Sequence, residues 1–106
     1  MRIISVNVNG IRSAHSKGMH DWLATQKADV VCLQETKAHT ADLTDAVRAP
    51  AKWHTYYCEA EKKGYSGVAL FSKVGRARVT TGLGFDEFDR EGRYVQADFG
   101  KLSVAS

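Results

Sequence analysis

The chain has 106 residues, of which 43% are hydrophobic and 25% are charged, a composition that is ordinary for a globular protein and allows one small domain. With 15 Lys and Arg residues against 12 Asp and Glu residues, the formal net charge of +3 permits a polyanionic partner but does not require one. No apolar stretch approaches the ~20 residues that a membrane helix needs, and the start lacks a secretory signal, so we expect a cytoplasmic protein with no membrane partner.

Several short segments carry the alternating or continuous apolar pattern that is typical of β-strands. In chain order they cover residues 3–8, 29–33, 53–58, 66–72, 77–81, 93–99 and 102–105. A helix is predicted over 13–26, where Met19, Trp22 and Leu23 have the spacing of one helix face, and a shorter helix over 40–47.

The order of these elements indicates an α/β fold. The first strand, helix and second strand form a βαβ unit, whose two strands should be parallel neighbours. The later strands follow one another through short connections, including a hairpin around Gly100-Lys101, so we predict a mixed, mostly antiparallel sheet with helices on one face. The chain stops at Ser106 inside or beside a strand, which leaves an open sheet edge. We therefore expect residues 1–106 to be the amino-terminal part of a single, incomplete domain.

Several side chains with potential chemistry are interpreted as packing or surface residues. Cys32 lies in an apolar run and is predicted to be a small buried hydrophobe, and the lone pair Cys32 and Cys58 does not predict a disulfide. Trp22 and Trp53 are predicted to be core residues. The histidines show no metal-ligand spacing and are assigned to the surface or to packing: His15, His20, His39 and His54.

The polar segment 82–92 is predicted to be a loop with an acidic bias. It lacks the spacing of a calcium-binding loop, so its carboxylates are interpreted as solvated charges. Arg93, which follows Gly92, is predicted to be the partner of an internal salt bridge and not a DNA contact.

Polar side chains follow the two strands of the βαβ unit. Asn7 lies at the end of the first strand and Glu35 comes directly after the second, so both should emerge at the same carboxyl edge of the sheet, where α/β sheets bind ligands. A carboxylate beside an amide is an oxygen site that suits Mg²⁺, which takes one or two carboxylates and keeps several waters. Glu35 as a helix N-terminal acid and Asn7 as a turn residue are the alternative, and the pattern alone leaves both open.

Four segments in order along the chain carry a family resemblance. They are 5–12 (SVNVNGIR), 33–37 (LQETK), 64–70 (GYSGVAL) and 91–93 (EGR). Together they resemble the exonuclease III and apurinic/apyrimidinic endonuclease family of the endonuclease–exonuclease–phosphatase superfamily. The first two are shared by the superfamily, whereas the third indicates its DNA-repair branch. The resemblance implies a four-layer α/β-β/α sandwich with outer helices, of which this chain would supply the amino-terminal half and most of one sheet.

The resemblance also implies a function and a set of site residues. The full-length protein would be a monomeric DNA repair nuclease that uses Mg²⁺, with Mn²⁺ as the alternative ion, on duplex DNA at abasic sites and 3′ ends. Glu35 would be a direct metal ligand, and Asn7 would join it in the catalytic network around the metal and the reacting phosphate. The positions implied to contact the DNA backbone or its phosphates are Asn9, Arg12, Lys37, Tyr65, Ser66 and Gly67.

Other family residues have no counterpart in this sequence. The family also uses a tyrosine, an Asp-x-Asn pair and a late Asp-His pair, all further along the chain and none present by Ser106. We therefore expect residues 1–106 to carry half of the site and not to support full catalysis alone.

Two other functions compete with the nuclease. The catabolite repression control protein, a non-catalytic RNA-associated translational regulator, has closely similar segments, but it carries Asp for Glu and Arg for Lys in its counterpart of 33–37 and lacks the tyrosine of the GYSGV segment. A superfamily phosphodiesterase acting on lipid or inositol phosphates is the other rival. Because this chain has Arg12, Glu35, Lys37 and Tyr65, we expect the nuclease.

Overall fold

Two β-sheets and a set of short helices make up the computed structural model, which describes residues 1–106. The strands are β1 (Ile3–Asn7), β2 (Val30–Gln34), β3 (His54–Cys58), β4 (Val68–Ser72), β5 (Arg78–Thr81), β6 (Val95–Phe99) and β7 (Leu102–Ala105). The helices are α1 (Ile11–Ser16), α2 (Met19–Thr25), α3 (Asp45–Arg48) and α4 (Asp86–Asp89), with a 3₁₀ turn at Thr40–Asp42. None of these helices has the length and apolar character needed to cross a membrane.

The first sheet has the strand order β1-β2-β4-β3. β1 and β2 are parallel, as predicted for the βαβ unit, and the other neighbours are antiparallel. The central strands β2 and β4 are buried on both faces apart from one terminal residue, because helices cover one face and the second sheet covers the other. This two-sided burial explains why both segments have continuous apolar runs and do not alternate.

The second sheet is the antiparallel meander β5-β6-β7. Its inner face meets the first sheet in one apolar cluster: Val30, Cys32, Val68, Leu70, Val95, Ala97 and Val104. The opposite face of the first sheet packs against the helices in a separate cluster that includes Ile11, Leu23, Val31, Leu33, Val47, Ala69 and Phe71. The chain thus builds three layers, which are helices, the first sheet and the second sheet.

The prediction of a single mixed sheet is wrong, because the strands are divided between two sheets. Strand β4 pairs on both edges within the first sheet, so β5 begins a second sheet that covers the apolar face of β2 and β4. The mixed α/β character and the hairpin between β6 and β7 are confirmed. Cys32 is buried as predicted, and both cysteines are free.

The helix predicted over 13–26 is interrupted in the structure. α1 ends at Ser16 and α2 begins at Met19, because Gly18 between them has a φ of 95° in the left-handed region. The helix predicted over 40–47 is also divided, since Leu43 and Thr44 have extended backbones between the 3₁₀ turn and α3. The predicted loop 82–92 contains the short helix α4.

The two tryptophans differ in burial. Trp22 is 48% exposed, so its assignment to the core is wrong: the short helix α2 buries the neighbouring Leu23, and Trp22 lies on its outer side. Trp53 is partly buried against the core, as predicted, with its ring centroid 6.3 Å from that of Phe71.

A histidine of α1 packs against a histidine of α2. Because the chain turns at Gly18, the rings of His15 and His20 meet edge to face with centroids 4.4 Å apart. The His20 Nε2 lies 3.0 Å from the Val47 carbonyl oxygen, so this nitrogen donates a proton to it, while both Nδ1 atoms are buried without a partner. Burial is the main cause that lowers the pKa of His20 below its ordinary value of 6.5.

Acid should therefore destabilise the fold through His20. The folded pKa lies below the unfolded value of 6.5, so the unfolded chain binds the proton more readily, and stability falls as pH drops from 6.5 towards the folded pKa. We expect His20→Gln in the full-length protein to reduce the change in urea midpoint between pH 7.5 and pH 5.5. His54→Gln, at an exposed position, is the control and should keep that change. An unaltered pH response in His20→Gln would contradict this origin of acid sensitivity.

Gly92 lies against the backbone that follows β3. It has a φ of 62°, and a Cβ atom there would stand 2.4 Å from the Ala60 nitrogen and 2.8 Å from the Cys58 oxygen. Gly100 in the β6–β7 hairpin has a similar φ of 65° but has no atom within 4 Å of a Cβ position.

Gly92→Ala and Gly100→Ala should therefore differ in stability. Both variants should lose roughly 1–2 kcal/mol of unfolding free energy, because a residue with a Cβ atom is disfavoured in the left-handed region. Gly92→Ala should lose a further ~1–3 kcal/mol from overpacking, measured by chemical denaturation of the full-length protein. Equal losses in the two variants would show that the close approach at Gly92 is relieved at no cost.

Candidate functional site

Backbone hydrogen bonds continue past the ends of β1 and β2. Asn7 pairs with Gln34 as the last register position of the parallel strands. Beyond it, Val8 N donates to Gln34 O at 3.0 Å, and Gly10 N donates to Glu35 O at 2.8 Å. The segment after β1 is thus held against the segment after β2, and the side chains of Asn7 and Glu35 emerge together at the carboxyl edge of the sheet, as the sequence predicts.

The loop before β4 is joined to the same place. Thr36 N donates to Gly67 O at 3.1 Å, and Lys37 N donates to Ser66 O at 2.7 Å. Thr36 is buried, and a Cβ atom on Gly67 would stand 2.3 Å from its Oγ1, so only glycine fits here. This contact brings Ser66 and Gly67, two of the residues predicted to contact the DNA backbone, beside Glu35 and Lys37.

Left-handed backbone conformations concentrate at this site. The non-glycine residues with positive φ that surround it are Asn9 at 45°, Glu35 at 54°, Lys37 at 51° and Ser66 at 50°. Such conformations are costly for residues with a Cβ atom, and they cluster at ligand and catalytic sites, where the surrounding structure maintains them. The backbone bonds that join the three segments provide this support.

The polar side chains form a closed network. Asn7 Nδ2 donates to Glu35 Oε2, and Asn7 Oδ1 accepts from the backbone N of Asn9 at 3.0 Å. Lys37 Nζ donates to Asn9 Oδ1 at 2.7 Å and lies 3.4 Å from Glu35 Oε1. Each of these four side chains therefore orients at least one other.

Glu35 is an ionised and accessible carboxylate in this network. The hydrogen bond from Asn7 and then that from Lys37 hold the pKa of Glu35 below its ordinary value. Its side chain is 44% exposed, so one side remains open to a ligand from solvent. Asn7 directs its amide nitrogen at Glu35 and thereby orients that carboxylate.

Two clefts open at Glu35. One, of about 410 Å³, extends towards Gln34, Phe88 and Ser106. The other, of about 330 Å³, extends towards Lys37 and Tyr65. Ser66 and Arg93 line both clefts.

Arg93 makes the internal ion pair that the sequence predicts, with its Nη2 2.7 Å from Glu91 Oε1. Its place on the wall of both clefts was not predicted. The EGR segment at 91–93 carried the only sequence signal for it, because Glu91 and Arg93 reach Tyr65 across more than twenty intervening residues.

The donor set fits part of a site for a hard divalent cation. Glu35 is the only carboxylate of the Asn7–Asn9–Lys37 network, and no group of three or more His, Cys, Asp or Glu side chains in the chain could hold a metal ion. One carboxylate with waters is nevertheless a normal way to bind Mg²⁺, and the Asn7 side chain lies beside it, with its amide nitrogen on Glu35 and its oxygen accepting from Asn9 N. The residues therefore fit Mg²⁺ with a water-rich shell and do not form a complete protein cage.

Arg12 is also predicted to contact the DNA backbone. It lies in the first turn of α1 with its side chain exposed. The start of this helix is bound to the site, because Ile11 N donates to Thr36 O at 2.9 Å. Arg12 thus stands beside the polar network without belonging to it.

The chain is similar in sequence to known proteins. A sequence profile described as the Endonuclease/Exonuclease/phosphatase family matches residues 4–105. An exodeoxyribonuclease of Bacillus subtilis is 40% identical over 105 residues, which are 98% of this chain and 40% of that protein. The DNA repair nuclease APEX1 of Danio rerio is 43% identical over 101 residues, which are 93% of this chain and 33% of that protein.

A solved structure shows the same fold over almost the whole chain. The AP endonuclease from Archaeoglobus fulgidus superposes with a TM-score of 0.81 at 30% identity, over 99% of this chain and 40% of that one. The chain thus corresponds to the amino-terminal part of the AP endonuclease fold, and it spans at most about 40% of the length of these proteins.

Replacing Gly67 should loosen the site locally. In Gly67→Ala the added methyl group would collide with Thr36 Oγ1, which should break the bonds from Thr36 N and Lys37 N to the 66–67 carbonyls. Hydrogen exchange of the Thr36 and Lys37 amides in the full-length protein should then become faster. Gly64→Ala is the matched control, since Gly64 has a φ of 72° and open space around it, and it should leave this exchange unchanged. Equal exchange rates in the two variants would refute the role assigned to the contact.

Proposed function

The chain belongs to the endonuclease/exonuclease/phosphatase family, and from this we infer that the protein containing it is a metal-dependent DNA repair nuclease. Its substrate is duplex DNA, which it hydrolyses at abasic sites and 3′ ends, leaving a 3′-hydroxyl group. One observation carries the proposal above all: Asn7, Glu35 and Lys37 meet in a single network at the mouth of two clefts.

The proposed cation is Mg²⁺, held by Glu35 with Asn7 beside it. When bound, it would offset the negative charge that develops on the phosphate oxygens during cleavage. The Asn7 amide keeps the Glu35 carboxylate ionised and oriented through its Nδ2 hydrogen bond. Orientation of this kind matters because a misplaced ligand loses much of its catalytic value.

Lys37 contributes a positive charge beside Glu35 Oε1, whereas Asn7 bonds the other carboxylate oxygen, Oε2. Its ammonium group has three donors, of which one is used on Asn9 and one approaches Glu35. The third can donate to a phosphate oxygen that enters the cleft shared with Tyr65. Arg12, at the exposed start of α1, supports binding of a neighbouring phosphate through its planar fork of donors.

The residues of this chain provide binding and orientation but no general base for the attacking water. Glu35 is the only carboxylate in the network and is engaged by Asn7 and Lys37. Since the chain spans at most about 40% of the length of its relatives, we propose that a later segment of the full-length protein supplies that base.

No observation favours the two rival functions. The relatives reported above are named as DNA nucleases, and none is named as an RNA-associated regulator or a lipid phosphatase. The residues that set the nuclease pattern apart from the regulator, which are Glu35, Lys37 and Tyr65, all line one cleft.

Removing the charge of Glu35 should disable the enzyme. In the full-length protein, Glu35→Gln should lower the rate of cleavage of a duplex with one abasic site by about a hundredfold or more at low Mg²⁺, and part of that loss should return at high Mg²⁺. Glu87→Gln, at an exposed position on α4, is the control and should cleave normally. Chelation with EDTA should stop the unaltered enzyme.

Two results would contradict the proposal. Cleavage by Glu35→Gln at the unaltered rate in low Mg²⁺ would remove Glu35 from the site. Absence of cleavage by the unaltered full-length protein, together with tight binding to RNA, would favour the regulator instead.

A further inference from the structure

A network of three side chains forms the wall of the clefts opposite Lys37. The Tyr65 hydroxyl donates to Glu91 Oε1 at 3.1 Å. Arg93 donates to the same oxygen from Nε at 2.8 Å, and its Nη2 donates to the Tyr65 hydroxyl oxygen at 2.8 Å. Tyr65, Glu91 and Arg93 thus form a closed triangle of hydrogen bonds.

The available donors decide which member of this triangle can bind a ligand. A tyrosine hydroxyl has one proton, and here that proton is used on Glu91. A guanidinium has five N–H donors, of which Nε and Nη2 are directed at Glu91 and Tyr65. The two N–H groups on Nη1 have no partner within the chain. Arg93 is also 44% exposed and lines both clefts that open at Glu35.

The charges around this wall favour an anion. Lys62 Nζ lies 5.7 Å from the centroid of the Tyr65 ring, and the Arg93 guanidinium carbon lies 5.8 Å from it. The cleft shared with Tyr65 is lined by two cationic side chains, Lys37 and Arg93, and by one carboxylate, Glu35. The net charge of this lining is therefore positive even before a divalent cation is bound.

We propose that Arg93, through Nη1, is the phosphate-binding donor on this wall. Glu91 is a positioning residue that holds Arg93 and accepts the hydrogen bond of the Tyr65 hydroxyl group. Tyr65 then contributes its ring to the wall and does not donate its hydroxyl proton to the ligand. The inference rests on the proposed function, because the ligand is a DNA phosphate next to the one that is cleaved.

The physical reason for a carboxylate at 91 is preorganisation. A long arginine side chain loses rotamer freedom when it binds a ligand, and a fixed partner removes that cost in advance. Glu91 accepts from Nε and lies 2.7 Å from Nη2, which donates to Tyr65, so the guanidinium plane is fixed and Nη1 is directed away from the ion pair. The Arg93 and Tyr65 hydrogen bonds also lower the pKa of Glu91, so its negative charge persists in mild acid.

The test is the salt dependence of binding of the full-length protein to an abasic-site duplex in Ca²⁺, with cleavage in Mg²⁺ measured alongside. Arg93→Gln should weaken binding roughly tenfold and reduce the log–log salt slope by about 0.9, the value for one lost phosphate contact. Arg90→Gln is the matched control, since Arg90 is an exposed arginine that lines neither cleft, and it should leave the slope unchanged.

Glu91→Gln tests the positioning role. It should raise KM several-fold with little change in kcat, because it loosens a binding contact and not a group that acts only in the transition state. Added to Arg93→Gln it should cause no further loss of affinity, whereas a merely structural role would add its full effect. If Arg93→Gln fails to fold, Arg93→Lys serves instead and should keep the slope with weaker binding.

Different outcomes overturn different statements. An unchanged slope in Arg93→Gln, undiminished affinity in Arg93→Lys, or an equal loss of slope in Arg90→Gln would overturn the assignment of Arg93. Additive losses in the double variant would overturn the role of Glu91. If the unaltered protein cleaves no abasic duplex in Mg²⁺, the proposed function fails and these binding results stand by themselves.

Discussion

The parallel pairing of β1 with β2 is the constraint on which the candidate site depends. It places Asn7 opposite Gln34, and the ladder then continues through Gly10 and Glu35, so two loops leave the sheet side by side. Residues 28 positions apart in the chain are thereby brought within hydrogen-bond distance at one edge. Without this register the Asn7 amide nitrogen would lose Glu35 as its acceptor, and Lys37 would lose its hydrogen bond to Asn9.

The apolar layers give that edge its rigidity. β2 and β4 are covered by helices on one face and by the second sheet on the other, and both strands lead directly to site segments, at Glu35 and at Gly67. Side chains on the ends of such strands are held more firmly than those on free loops. This firmness lets the backbone keep left-handed conformations at Glu35, Lys37 and Ser66, which a loose loop would abandon. The packed layers thus maintain the strained backbone of the site.

Sequence patterns predicted those parts of the structure that depend on local or nearly local order. The βαβ unit, the β6–β7 hairpin and the meeting of Asn7 with Glu35 follow from periodicity and from where parallel strands end. The break at Gly18 was missed, because the spacing of Met19 and Leu23 describes side chains and not the φ of the glycine before them. The division into two sheets and the contacts of Arg93 with Tyr65 depend on pairings between distant segments, which no local pattern records.

The proposed cation position lies at the shared carboxyl end of β1 and β2. Paramagnetic Mn²⁺ is a direct reporter, because it broadens the NMR signals of nuclei close to it. In the full-length protein labelled with ¹⁵N, addition of substoichiometric Mn²⁺ should first broaden the backbone amide signals of Asn7, Glu35 and Lys37, which surround the proposed ligand. Signals of these residues that stay sharp, while those of the acidic helix α4 broaden, would place the cation elsewhere and contradict the account.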